Sequence, residues 1–262
     1  MKQWIGIWMI LLPGLSIQAQ DFSAYQKNIF TDHGIELPYR ILSPQIDTVK
    51  KYPLLIFLHG AFEKGNDNEM QLNIGGRFFM RDSIQKNYPA YILFPQCPSD
   101  DSWAYFENHI DFTTGFAVDW NFPFKKEPTS ITGILKKLID HLLTVSKIET
   151  SQIYIVGLSQ GGMGVLDMIA RYPNLFAAGL SICGAGEPST TKYFAGKTAL
   201  WLFHGEKDQV VPPTFSREFY KRLKKVNAVT RYIEYKGVEH NSWVNAFKEP
   251  ELMSWLFAQK KQ

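Results

Sequence analysis

A serine hydroxyl is a poor nucleophile near neutral pH unless a base takes its proton and an acid holds that base in place. Four short stretches of this chain could supply such a set. Ser159 stands in Gly157-Leu158-Ser159-Gln160-Gly161-Gly162, directly after the β-branched run Ile153-Tyr154-Ile155-Val156. Two histidines follow it, His204 in Phe203-His204-Gly205 and His240 in Gly237-Val238-Glu239-His240-Asn241-Ser242-Trp243. Between them the stretch Gly205-Glu206-Lys207-Asp208-Gln209-Val210-Val211-Pro212 carries two carboxylates, Glu206 and Asp208. Attack on a carbonyl also creates an oxyanion, which needs N–H donors already in position. Leu58-His59-Gly60-Ala61-Phe62 is the stretch that could bring a backbone donor close.

The elements around these residues narrow the choice. An apolar strand run, Gly-x-Ser-x-Gly, then a helical pattern over Met163 to Arg171 stopped by Tyr172-Pro173, is the strand–turn–helix junction that carries the nucleophile of an α/β-hydrolase. The turn is strained, and a Cβ at Gly157 or Gly161 would collide with the neighbouring strand or helix. In that architecture the order along the chain is serine, acid, histidine. His204 precedes any suitable acid, so chain order selects His240 as the base. Asp208, on the loop after the penultimate strand, is the preferred acid, with Glu206 the competitor. The oxyanion donors expected are the backbone N–H groups of Gln160, next to the nucleophile, and Ala61, on the loop after an early strand. His59 is expected to orient that loop.

The rest of the chain supplies the scaffold. Tyr25 to Phe30 and Leu37 to Leu42, joined by Thr31-Asp32-His33-Gly34, read as an antiparallel pair. Continuous apolar runs, as of strands buried on both faces, occur at Leu54 to Leu58, Tyr91 to Phe94, Ile153 to Val156, Ala178 to Ile182 and Ala199 to Phe203, with Arg231 to Tyr235 last. Helical patterns lie at Ile131 to Val145, Met163 to Arg171 and Thr214 to Val226. Alternation of this kind implies a mostly parallel central sheet with helices on both faces. One segment departs from it. Tyr105 to Pro128 is rich in aromatics, has no clear period, and is expected to be an insertion capping the site.

Composition removes other classes. The net charge of +3 is spread along the chain with no long basic block, so no nucleic-acid partner is expected. Residues 1–20 read as a cleaved signal peptide: Lys2, an apolar stretch from Trp4 to Leu12, a break at Pro13-Gly14, then Ser16-Ile17-Gln18-Ala19-Gln20. The apolar stretch is shorter than the roughly 20 residues that span a bilayer. The expectation is a secreted or periplasmic protein without stable membrane insertion, with 21–262 as one catalytic domain. Two cysteines, Cys97 and Cys183, would follow strands that are not neighbours, so free buried thiols are expected. They form no zinc-binding pattern, and neither metal nor organic cofactor is implied.

Together, His59-Gly60, Gly157 to Gly162, Phe203-His204-Gly205 with Asp208 to Pro212, and His240 resemble the phospholipase/carboxylesterase branch of the α/β-hydrolases. Leu58 to Asn68, Pro95-Gln96-Cys97-Pro98 with Trp103, Ile182-Cys183-Gly184 and His240 to Trp243 are similar to a bacterial subgroup labelled "predicted peptidase" and related to feruloyl and acetylxylan esterases. Phe62 and Lys64 stand where that subgroup more often has Gly and Arg. The resemblance, from about Leu37 to Phe257, implies a Ser159–His240–Asp208 set cleaving esters through an acyl-enzyme. With export and the aromatic segment, the carbohydrate-esterase resemblance implies esters on plant polysaccharides, with Phe62, Trp103, Trp120 and Trp243 as substrate-binding candidates. A serine peptidase and a lipase-like carboxylesterase are the alternatives, and a non-catalytic sugar-binding protein is a third.

Overall fold

The computed structural model describes residues 21–45, 49–226 and 228–261. The signal segment expected over 1–20 lies outside the described residues. Ten strands are present among them: β1 (Gln26–Asp32), β2 (Ile35–Leu42), β3 (Tyr52–Leu58), β4 (Tyr91–Pro95), β5 (Glu107–Ile110), β6 (Ala117–Asn121), β7 (Ile148–Leu158), β8 (Ala178–Ile182), β9 (Ala199–Gly205) and β10 (Thr230–Tyr235). The helices are α1 (Gly76–Met80), α2 (Asp82–Asn87), α3 (Ser130–Val145), α4 (Gln160–Arg171), α5 (Thr191–Phe194), α6 (Thr214–Lys225), α7 (Trp243–Ala246) and α8 (Leu252–Ala258).

Eight strands form one sheet in the order β1-β2-β4-β3-β7-β8-β9-β10. The first two run antiparallel, and from β4 to β10 every pairing is parallel. This is the α/β-hydrolase fold. The central parallel strands β3, β4, β8 and β9 and the second half of β7 are almost wholly apolar because both faces are covered, whereas β10 at the edge is half-buried and mixed. Their side chains alternate between two cores. Leu54, Ile56 and Leu58 pack with Leu135 and Leu138 of α3, Val165 and Ile169 of α4, and Phe219 of α6. Leu55 and Phe57 point the other way, toward Phe78 and Phe79 of α1 and Leu252 and Leu256 of α8. Helix α3 forms where expected: Thr129 caps it by accepting from the Thr132 N–H, and apolar residues recur at 131, 134, 135, 138, 139 and 142.

The segment from 105 to 128 differs from the aperiodic loop expected. It holds a hairpin, β5–β6, whose strands are mostly exposed and pair only with each other. No alternation of apolar and polar residues marks it, because neither face lies on the main core. The base of this arm is anchored instead. Phe122 and Ala104 pack with Met163, Ala185 and Val211, with Phe106, Trp120 and Phe215 alongside. Arg171 of α4 donates to the Lys125 and Lys126 carbonyls, pairs with Asp167 at 2.6 Å, and lies over the Phe124 ring. Among the described residues no helix is long and apolar enough to cross a membrane.

Candidate active site

The junction of β7 and α4 puts Ser159 at φ 53°, ψ −120°, a left-handed conformation that side chains other than glycine rarely adopt. Small neighbours make it possible. A Cβ on Gly157 would stand 2.3 Å from the Gly161 carbonyl oxygen, and one on Gly161 would stand 2.0 Å from that of Leu58. The Ser159 N–H donates to the Ile182 carbonyl at 2.8 Å, and its carbonyl accepts from the Met163 N–H, so both sides of the turn are tied down.

His240 arrives from the other end of the sheet. Its loop follows β10 and passes directly over Gly205, where a Cβ would meet the Glu239 carbonyl at 2.1 Å. The ring then spans the serine and the acid: Nε2 lies 2.9 Å from Ser159 Oγ, and Nδ1 lies 2.8 Å from Asp208 Oδ2. Oδ1 of Asp208 accepts from the Val210 and Val211 N–H groups, each at 2.9 Å. Burial pushes this carboxyl up, but the donors around it, His204, His240 and Val211, outweigh burial and hold it well below the usual carboxylate range. Glu206 is exposed and turned away, accepting from the Gly237 N–H at 2.7 Å. Ser159, His240 and Asp208 are therefore brought together, and Glu206 is not.

Ala61 opens the 3-10 turn Ala61–Glu63, and Gln160 is the first residue of α4. First-turn N–H groups have no partner within their own helix, which leaves both free to face an oxyanion. The loop carrying Ala61 is braced by His59, which is fully buried. Its Nδ1 donates to the Gly60 carbonyl at 2.6 Å and its Nε2 accepts from the Cys97 N–H at 2.9 Å. Burial lowers its pKa to about 4, so the ring is neutral.

The aromatic candidates separate. Phe62 is 89% exposed on the turn after Ala61. Trp243 is half-buried and meets the His240 ring edge-on, at 5.7 Å between centroids. Trp120 is half-buried and stacks on Phe122 at 5.7 Å, with planes 3° apart. Trp103 corrects an expectation. It is fully buried and donates its indole N–H to the His59 carbonyl at 3.2 Å, while a Cβ on Gly164 would strike its Cβ at 2.5 Å. It braces the loop from behind and has no surface to offer a substrate.

Three residues at the site were not assigned from sequence. Glu63 ends the 3-10 turn with its carboxyl buried, Oε2 without a hydrogen-bond partner, and its pKa raised by that burial. Cys183, after β8, has φ 41° and a thiol pushed above its ordinary range by burial and the charge of Asp208. His204 is fully buried with Nε2 3.2 Å from Asp208 Oδ2. Position in a strand-end loop was the available signal for each. Cys183, Asp208 and His240 place possible metal ligands within 4.8 Å of one another. A cation there would have to displace the thiol proton and open the 2.8 Å contact between Asp208 and His240. Both cysteines are free and buried.

The phospholipase/carboxylesterase family profile matches residues 43–251. A solved structure described as a thermostable esterase is similar at 35% identity and a TM-score of 0.81, covering 92% of this chain and 64% of that one. A poly(3-hydroxybutyrate) depolymerase of Ralstonia pickettii is 27% identical over 147 residues, 54% of this chain and 27% of that protein. Feruloyl esterase B of Thermothelomyces thermophilus is 25% identical over 140 residues, 40% of this chain and 48% of that protein. The chain spans less than two thirds of the length of each of these relatives.

Proposed function

We propose that this chain, a member of the phospholipase/carboxylesterase family, is an ester hydrolase that works through an acyl-enzyme on Ser159. The observation that carries the reading is the unbroken line from Ser159 Oγ through both nitrogens of His240 to Asp208, with contacts of 2.9 and 2.8 Å. His240 takes the serine proton as Oγ attacks the ester carbonyl. The carbonyl electrons move onto oxygen, which the N–H groups of Ala61 and Gln160 stabilise. Collapse expels the alcohol, which receives the proton from His240. Water then bonds the acyl carbon as it loses a proton to the same ring, and the acyl–Oγ bond breaks to release the acid while His240 returns that proton to Ser159. Asp208 stays ionised throughout and keeps hydrogen on Nδ1 of His240.

The substrate in this reading is an ester decorating a plant polysaccharide. The exposed Phe62 and the half-buried Trp120 and Trp243 offer flat apolar surface for a phenolic or sugar ring. Similarity to a feruloyl esterase over part of the chain supports the same class. The segment 1–20, read as a signal peptide, would place the enzyme where such polymers are met. A panel of acetyl, feruloyl and glucuronoyl esters, run beside peptide anilides, tests this. The expected result is turnover of feruloyl or acetyl esters with a burst of alcohol and slow anilide cleavage. Anilide cleavage as fast as ester cleavage would contradict it.

A further inference from the structure

The second histidine of the site has no part in the mechanism above, yet it touches the acid. His204 is the last residue but one of β9, with its side chain entirely buried. Its Nε2 lies 2.9 Å from the Val211 carbonyl oxygen and 3.2 Å from Asp208 Oδ2. Both of those oxygens can only accept, so Nε2 must carry a hydrogen, which is bonded to Val211 and shared at longer range with Asp208. Its Nδ1 lies in hydrogen-bond contact with Ser216 Oγ at 2.8 Å, in the first turn of α6. Ser216 is itself buried, so this contact holds the ring's orientation.

The two oxygens of Asp208 are held differently. Oδ1 takes two backbone N–H groups from its own turn. Among the described residues Oδ2 has no backbone donor; it is hydrogen-bonded to Nδ1 of His240 at 2.8 Å and lies 3.2 Å from Nε2 of His204. A carboxylate oxygen has two in-plane lone-pair directions, enough for one ring each. His204 also grips Val211, whose N–H binds Oδ1 and whose carbonyl binds Nε2. Both ends of the Asp208–Val211 turn are thus tied to a rigid strand.

We propose that His204 is a positioning residue. Its Nε2–H fixes the plane of the Asp208 carboxylate, so that Oδ2 stays in line with Nδ1 of His240. This rests on the catalytic reading given above. Without it, the carboxylate can swing about Oδ1, and the contact to His240 lengthens on average. Gln, whose amide N–H can reach the place of Nε2, should substitute for it, whereas Leu should not.

The test compares His204→Leu, His204→Gln and Ser216→Ala in the full chain. In His204→Leu, kcat is expected to fall about tenfold with KM unchanged, the scale on which outer hydrogen-bond partners act. His204→Gln should recover most of that loss. Proton NMR supplies a readout that needs no turnover. The His240 Nδ1–H resonance should move upfield and broaden in His204→Leu, and hold its place in His204→Gln. Ser216→Ala, which removes only the hydroxyl on Nδ1, should move it in the same direction. That variant carries the test if His204→Leu fails to fold by circular dichroism. An unmoved resonance in both His204→Leu and Ser216→Ala, or in Ser216→Ala alone where Leu does not fold, would overturn the proposal. So would a Gln variant as impaired as the Leu one. Movement of the resonance in a chain that cleaves no ester would instead overturn the catalytic reading and leave standing only the hold of His204 on the Asp208 carboxylate.

Discussion

The two carboxylates of the 205–212 loop stand two positions apart and meet opposite surroundings. Asp208 is enclosed by donors and faces His240, while Glu206 is exposed and holds a backbone turn. Asp208→Asn should therefore cost about 10⁴-fold in kcat, since the amide favours the wrong imidazole tautomer. Glu206→Gln should leave the rate near that of the parent. Steady-state kinetics on one ester checks both, and the reverse pattern would move the acid to Glu206. His59 makes a separate claim on stability. Its pKa is about 4 in the fold against an ordinary 6.5, so the unfolded chain binds its proton first as pH falls. Stability from this group is complete above pH about 6.5 and drains away toward pH about 4. The gap is worth about 3 kcal/mol. Urea unfolding at pH 7 and pH 4 should show the parent losing about that much more than His59→Gln. That Ser159, His240 and Asp208 come together could be read from sequence, because motif and chain order constrain their places. Trp103 could not. An indole in a loop reads the same whether it faces a ligand or seals a core, and the difference lies in Gly164 and His59, distant in sequence.

At the scale of elements, crossings of loops and strands set the geometry. The histidine loop lies on Gly205, with no room for a Cβ beside the Glu239 carbonyl. Gly205→Ala should displace that loop by a fraction of an ångström or more and lower kcat about 100-fold with the sheet intact. Circular dichroism and kinetics together check this; an active, folded variant would contradict it. The arm carrying β5 and β6 hangs on Arg171. Arg171 and Asp167 are almost fully buried, with side chains 6% and 9% exposed. Arg171→Met would strand the Asp167 charge and release the Lys125 and Lys126 carbonyls. A loss of about 3 kcal/mol is expected, with faster proteolysis within 105–128. Equal stability and unchanged cleavage would show that the arm is held elsewhere. The strands of the main sheet were legible because burial on both faces forces apolar runs. The hairpin was not, because its strands are exposed and no apolar alternation records them. The short helices α1, α2 and α7 give too few turns for a 3.6-residue period to show.

Taken whole, the molecule is a mostly parallel sheet whose carboxyl ends gather the Ala61 backbone and the side chains of Ser159, Asp208 and His240. The fold is legible from sequence because that convergence follows from the order of strands and the position of one strained turn. The substrate is less legible, because it depends on where half-buried aromatics come to rest. The central claim is that Ser159 is a nucleophile activated by His240. Treatment of the folded chain with a fluorophosphonate, followed by peptide mapping by mass spectrometry, tests this most directly. One adduct per chain is expected, on Ser159, formed at least 100-fold more slowly in His240→Ala. No adduct, an adduct on another serine, or equal labelling in His240→Ala would contradict it.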